Sequence, residues 1–154
     1  MYPTLLFLHS LIRWLVIISL IYAIYKAYNG YKTNQKFSYS DTLIRQWATT
    51  FTHIQLTIGI ILYIQSPIIK YFWKNVPEAI QNFDVLFYTL IHPTLMTIGV
   101  IILTIGAALS KRKSTDKEKF KIMLIWFIIA FMVFLIAVPW PFSILSQRPY
   151  IRAL

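Results

Sequence analysis

The sequence holds three histidines, His9, His53 and His92, and each stands inside an apolar stretch rather than in the polar segments between them. Imidazole ligates metals and haem iron and exchanges protons near neutral pH. Arg13 follows His9 by four residues in LLFLHSLIRWLVIISLIYAIYKAY, which puts both on one helix face, one turn apart. An arginine at membrane depth costs roughly 2.5–3.5 kcal/mol or more on insertion scales, and such residues mark functional positions by default.

Other chemistries are excluded by what the chain lacks. It has no cysteine, so thiolate metal sites, iron–sulfur clusters, disulfides and covalent c-type haem attachment are out. No Asp or Glu lies within the apolar stretches, which removes the carboxylate relay of many pumps and carboxylate-rich di-iron sites. No P-loop, GxSxG or HExxH pattern occurs. The chemistry left over is that of imidazole.

The elements that must hold these imidazoles follow from composition. Of 154 residues, 58% are hydrophobic and 13% charged, where a soluble domain averages about 25% charged. At about 20 residues per span, the chain predicts one all-α domain over 1–154, a polytopic membrane protein built as an up-down bundle of four transmembrane helices. The spans are expected at 4–28, 43–65, 85–109 and 122–138. Asn29-Gly30 stops the first, and Ser66-Pro67 the second. Tyr71-Phe72-Trp73, in the loop before the third span, has the composition of a membrane–water interface. Thr115 and Glu118 have capping-box spacing before the fourth, and Pro139-Trp140-Pro141 closes it. The first stretch outruns a signal peptide's apolar region and lacks an A-x-A site, so it reads as a retained helix.

The net charge of +10 is not read as a nucleic-acid signal, because the cations cluster in two loops flanking apolar spans. Lys26, Lys32, Lys36 and Arg45 surround loop 29–42. Lys111, Arg112, Lys113, Lys117, Lys119 and Lys121 surround loop 110–121. The opposite side carries only Lys70, Lys74, Arg148 and Arg152. The positive-inside rule then puts both loops in the cytoplasm and both termini outside, in the periplasm of a bacterial inner membrane. The partners this implies are the lipid bilayer and a larger membrane complex or a homo-oligomer.

Helical rise turns sequence offsets into depths. Measured from Pro3, Asp84 and Pro67, His9 lies about 9 Å deep, His92 about 12 Å and His53 about 21 Å. Spans 1 and 3 of an up-down bundle form a diagonal. His9 and His92, level with each other, are therefore expected as axial ligands on opposite faces of a haem b iron, with His53 left as a hydrogen-bond partner, an alternative ligand or part of a quinone site. Gly99, two turns along from His92, and then Gly106 give the backbone room a porphyrin needs; Gly59 offers another thin place. Arg13 is expected to hold an anion such as a haem propionate, against the competing readings of bonding to backbone carbonyls or a quinone oxygen, or snorkelling outward. Ser10, Thr52, Gln55 and Thr57 are candidates to orient the imidazoles. Against all of this stands a structural reading, in which histidines hydrogen-bond between helices and glycines only permit close packing. A copper site using all three histidines is disfavoured by the depth of His53.

HSLIRW at 9–14, HIQLTIGIILYIQSP at 53–67, HPTLM at 92–96 and VPWPF at 138–142 resemble small four-helix Bacteroidota inner-membrane proteins labelled cytochrome b-like. The resemblance covers the whole chain through short spaced motifs. It implies an inner-membrane protein with its histidines as haem b ligands, and it marks His9, Arg13, Trp14, His53, Gln55, His92 and Pro93. It departs at Ile91, where an acidic residue is expected before the His-Pro pair, so no proton-handling role is implied there. The function expected is electron transfer by a membrane-bound b-type haem protein, with quinone or within a respiratory complex. The alternative is a non-haem accessory subunit of a larger membrane complex.

Overall fold

A computed structural model describes residues 2–141, and these are helical almost throughout, with no strand among them. The long helices are α1 (Tyr2–Lys32), α2 (Tyr39–Gln65), α6 (His92–Arg112) and α7 (Asp116–Ala137). Between α2 and α6 lie three short ones, α3 (Pro67–Lys74), α4 (Val76–Ala79) and α5 (Phe83–Leu86), then a π-helical turn over Phe87–Ile91. α5, the π turn and α6 run on as one length, Phe83–Arg112. Four helices are thus long and apolar enough to cross a membrane, which is compatible with a multi-pass membrane protein.

Helix α1 packs against α2 and α7, and α6 against the same two, which leaves α1 and α6 on a diagonal. The core is a large-to-small fit centred on α7. Phe120, Met123, Phe127, Ala130, Phe134 and Ala137 alternate three and four residues apart and are all buried. That spacing keeps one stripe of a helix turned inward. Helix α1 answers with Leu20, Ala23, Ala27 and Gly30, whose small side chains let α7 approach; the Phe120 ring lies directly over Gly30. Helices gain little hydrophobic drive from one another in lipid, so close packing of this kind is what holds them together.

The Lys-rich end is secured by caps. Ser38 and Asp41 form a capping box at the start of α2: Asp41 N–H donates to Ser38 Oγ at 3.3 Å, and Ser38 N–H to Asp41 Oδ2 at 2.9 Å. The buried Asp41 also pairs with Lys26 of α1 at 3.5 Å. Arg45, one turn on, is buried over the Phe37 ring and reaches Ser110 of α6. Thr115 caps α7 as the spacing predicts.

The segment after Pro67 departs from expectation. It is a loop in the sequence reading, yet it folds as α3, with Pro67 at its first turn and Ile69 and Phe72 buried. Proline both ends one helix and starts the next, because its missing N–H is harmless only in a first turn. Trp73 and Tyr71 remain exposed on α3, in keeping with an interfacial position. Arg148, Arg152 and Phe142 lie outside the described residues.

Candidate functional site

His92 is presented by an irregularity of the backbone. Pro93 has no N–H, and in a regular α-helix its ring would crowd the carbonyl four residues back, that of Thr89. The chain answers with the π turn, in which the N–H of His92 donates to Phe87 O, five residues back. Such turns inside helices recur at functional positions. The imidazole that emerges is half-buried beside the Phe87 and Tyr88 rings, with centroids 5.8 and 6.4 Å away.

The tautomer of His92 follows from its partner. Nδ1 lies 2.8 Å from the carbonyl oxygen of Ala137, and a carbonyl can only accept. Nδ1 therefore carries a proton, and in the neutral ring Nε2 holds the lone pair. A metal-bound histidine has this same arrangement, its second nitrogen donating to a backbone carbonyl.

His9 enters from α1 and lies against α2. Its Cε1–Nδ1 edge faces Gly59, where a Cβ would come within 3.3 Å of Cε1. Gln55, one turn from Gly59, donates through Nε2 to the backbone oxygen of His9 at 2.9 Å. The Nδ1 of His9 and the Oε1 of Gln55 are buried and make no hydrogen bond. Burying such atoms unpaired costs about 1–3 kcal/mol each, which makes this end of the bundle polar and unsatisfied.

Arg13, one turn further along α1, stands between two indoles. Its guanidinium carbon is 5.7 Å from the Trp14 ring and 5.7 Å from that of Trp140, and those rings meet edge to face at 5.9 Å. Trp140 is held in turn by its own N–H, which donates to Leu135 O at 2.9 Å. His9, Arg13 and His92 lie within electrostatic reach of one another, and Arg13 within that of Tyr88. His9 and His92 thus lie at the same end of the bundle as Arg13, His9 against α2 and His92 against the end of α7.

Two sequence-derived members fall elsewhere. Gly99 does share a face with His92, but that face meets α7 and not α1. The Phe134 ring fills the space where a Cβ on Gly99 would go, and Trp126 does the same at Gly106. Both glycines lie against α7 side chains rather than towards α1. His53 points to another surface. Its Nε2 lies 2.9 Å from Thr104 Oγ1, twelve residues along α6 from His92, or about 18 Å. That separation removes His53 as an alternative ligand on an iron shared with His92. The hydroxyls of Thr52 and Thr57 donate to the carbonyls of Ala48 and His53 within α2, and neither is hydrogen-bonded to an imidazole.

The sequence reading passed over Thr104 and the carbonyl of Ala137. Neither carries a signal: Thr104 is one of several threonines in the spans, and a backbone oxygen has no letter of its own. Among the described residues no group of three His, Cys, Asp or Glu side chains is placed to hold a metal ion. The donors present are imidazoles, a type of side chain that can hold a haem iron, and His9 and His92 would each offer one nitrogen to it. No protein-family model matches the chain, and no curated protein or solved structure does either.

Proposed function

We propose that this protein is a membrane-bound b-type haem protein of a bacterial inner membrane, passing electrons with quinone or within a respiratory complex. The observation that carries the reading is the His92 Nδ1–Ala137 hydrogen bond, which fixes an imidazole with its Nε2 lone pair available. His9, on the diagonal helix α1, would be the second residue to hold the iron. Bound haem b supplies one-electron redox chemistry. The chain's own part is to hold two neutral imidazoles at one level, to place Arg13 where it can pair with a carboxylate, and to wall the site with Trp14, Trp140 and Phe87. The positive-inside distribution supports loops 29–42 and 110–121 in the cytoplasm, so this end faces the periplasm.

The test is the reduced-minus-oxidised spectrum and pyridine haemochrome of protein purified from haem-replete cells. A b-type spectrum lost in both His9→Ala and His92→Ala bears the reading out; haem retained by either variant overturns the ligand choice. A second reading is favoured by the bonds His92–Ala137 and His53–Thr104, which tie helix to helix. In it the chain is a non-haem helical subunit of a larger membrane complex. A colourless, folded protein that co-purifies with a stoichiometric partner decides for it.

A further inference from the structure

His53 is the histidine that the haem reading leaves without a role, and it sits in an unusual place. Ionisable residues within membrane spans almost always face the bundle interior. His53 is instead exposed on the outer surface, near the middle of α2, where hydrocarbon surrounds the helices if they span a bilayer. It lies in a groove of about 280 Å³ lined by Thr50, His53, Ile54, Thr57 and Ile58. All five residues lie on one face of α2, so the groove is shallow and open to its surroundings.

The hydrogen bonds around His53 fix what it offers. Thr104 Oγ1 donates its one proton to Val100 O at 2.7 Å, so towards His53 it can only accept. Nε2 of His53 therefore carries the ring proton and donates to Thr104. In the neutral ring Nδ1 is then left as a bare acceptor. The neighbouring hydroxyl of Thr57 gives its proton to His53 O at 2.9 Å and does not turn to the ring. The result is an oriented hydrogen-bond acceptor near the middle of α2, with no donor from the chain's described residues and with Ile54 and Ile58 beside it.

We infer that the groove at His53 binds the ring of a membrane-dissolved hydroquinone, whose O–H donates to Nδ1 while its apolar tail stays in lipid. Few molecules carry a hydroxyl donor on an apolar body to this depth. The orientation also sets a preference between redox forms: a quinone has two acceptor oxygens and no donor, so it meets the Nδ1 lone pair unfavourably. The proposal is independent of the haem assignment, since it requires nothing of His9 or His92.

The experiment is equilibrium binding of decyl-benzoquinol to the full chain in nanodiscs under reducing conditions. The signal is quenching of Trp47, which is exposed on α2, six residues and about 9 Å of helix rise from His53. Decyl-benzoquinol dimethyl ether, the same ring without O–H donors, is the control. Saturable quenching is expected with the quinol and not with the ether. His53→Phe should weaken it about tenfold, the effect of one hydrogen bond in an apolar setting, while His53→Gln, whose amide oxygen still accepts, should restore part of it. Thr104→Val, which frees the ring to change tautomer, should narrow the preference for quinol over quinone. Equal quenching by quinol and ether on the unaltered protein overturns the proposal even if no variant folds. So does unchanged affinity in His53→Phe. A dimer that His53→Phe dissociates also overturns it, and assigns the face to a second copy of the chain.

Discussion

The Nδ1–H of His92 caps α7: it donates at 2.8 Å to the carbonyl oxygen of Ala137, the last residue of that helix. The final carbonyls of a helix have no partner within it, and here the start of α6 supplies one. The imidazole thus joins two helix ends whatever its Nε2 does. His92→Phe should destabilise the protein by about 1 kcal/mol, since one interhelical bond is lost in an apolar setting. His92→Asn, whose amide can still donate, should recover part of this. Unfolding in mixed micelles, with haem-free protein so that ligand loss does not contribute, is the measurement.

The two glycines of α6 should differ in their response to a methyl group. At Gly106 a Cβ would collide with Trp126 Cβ, next to that residue's backbone, and little can move. At Gly99 it would meet the edge of the Phe134 ring, which can tilt. Overpacking costs typically about 1–3 kcal/mol, so Gly106→Ala should lie near the upper figure and Gly99→Ala near the lower. Pairing Gly99→Ala with Phe134→Leu should restore most of the loss. Equal melting points for the two single variants would contradict this packing.

At the opposite end, Ser38→Ala should cost about 1 kcal/mol by removing the cap of α2. Asp41→Ala should cost more, because Asp41 both closes the capping box and pairs with Lys26. Thermal melts of the two variants compare them directly, and a double variant with Lys26→Met isolates the ion pair.

Orientation can be read by labelling, because the chain has no cysteine to remove. Cysteine placed at Ser114, in the Lys-rich loop, should react with a membrane-impermeant maleimide only after cells are opened. Cysteine at Gln81, exposed between α4 and α5, should react on intact spheroplasts. The reverse pattern would mean that the lysine and arginine asymmetry does not set the topology.

How far the sequence carried the site depends on which property is asked for. Hydropathy marks the four long helices because a span must be about 20 apolar residues, and no shorter signal competes. The seven-residue offset of His92 and Gly99 places them on one face, and they do share one. Which neighbour that face meets is not encoded in the offset: it depends on how α6 is turned about its axis, and that is decided by Phe134 and Trp126 seeking the two glycines. Depth counting found His9 and His92 at one end and set His53 apart. It carries no rotational information, so it gave no hint that His53 faces outward onto Thr104. Helix α3 escaped notice for another reason. Its eight residues are too few for periodicity to speak, and Ser66-Pro67 signals a stop as strongly as a start.

The π turn before His92 amounts to one residue more than a regular helix would use. Each residue of an α-helix advances the chain by about 100°, so removing one residue between Phe87 and Ile91 would swing α5 and everything before it through about that angle relative to α6. The extra residue therefore acts as an adjustable joint between the short outer helices and the long one they feed. Register on one side of it can be fitted to α3, where Phe72 is buried, while register on the other stays fitted to α7. Changes in chain length can be absorbed at this one point without turning the imidazole away from Ala137.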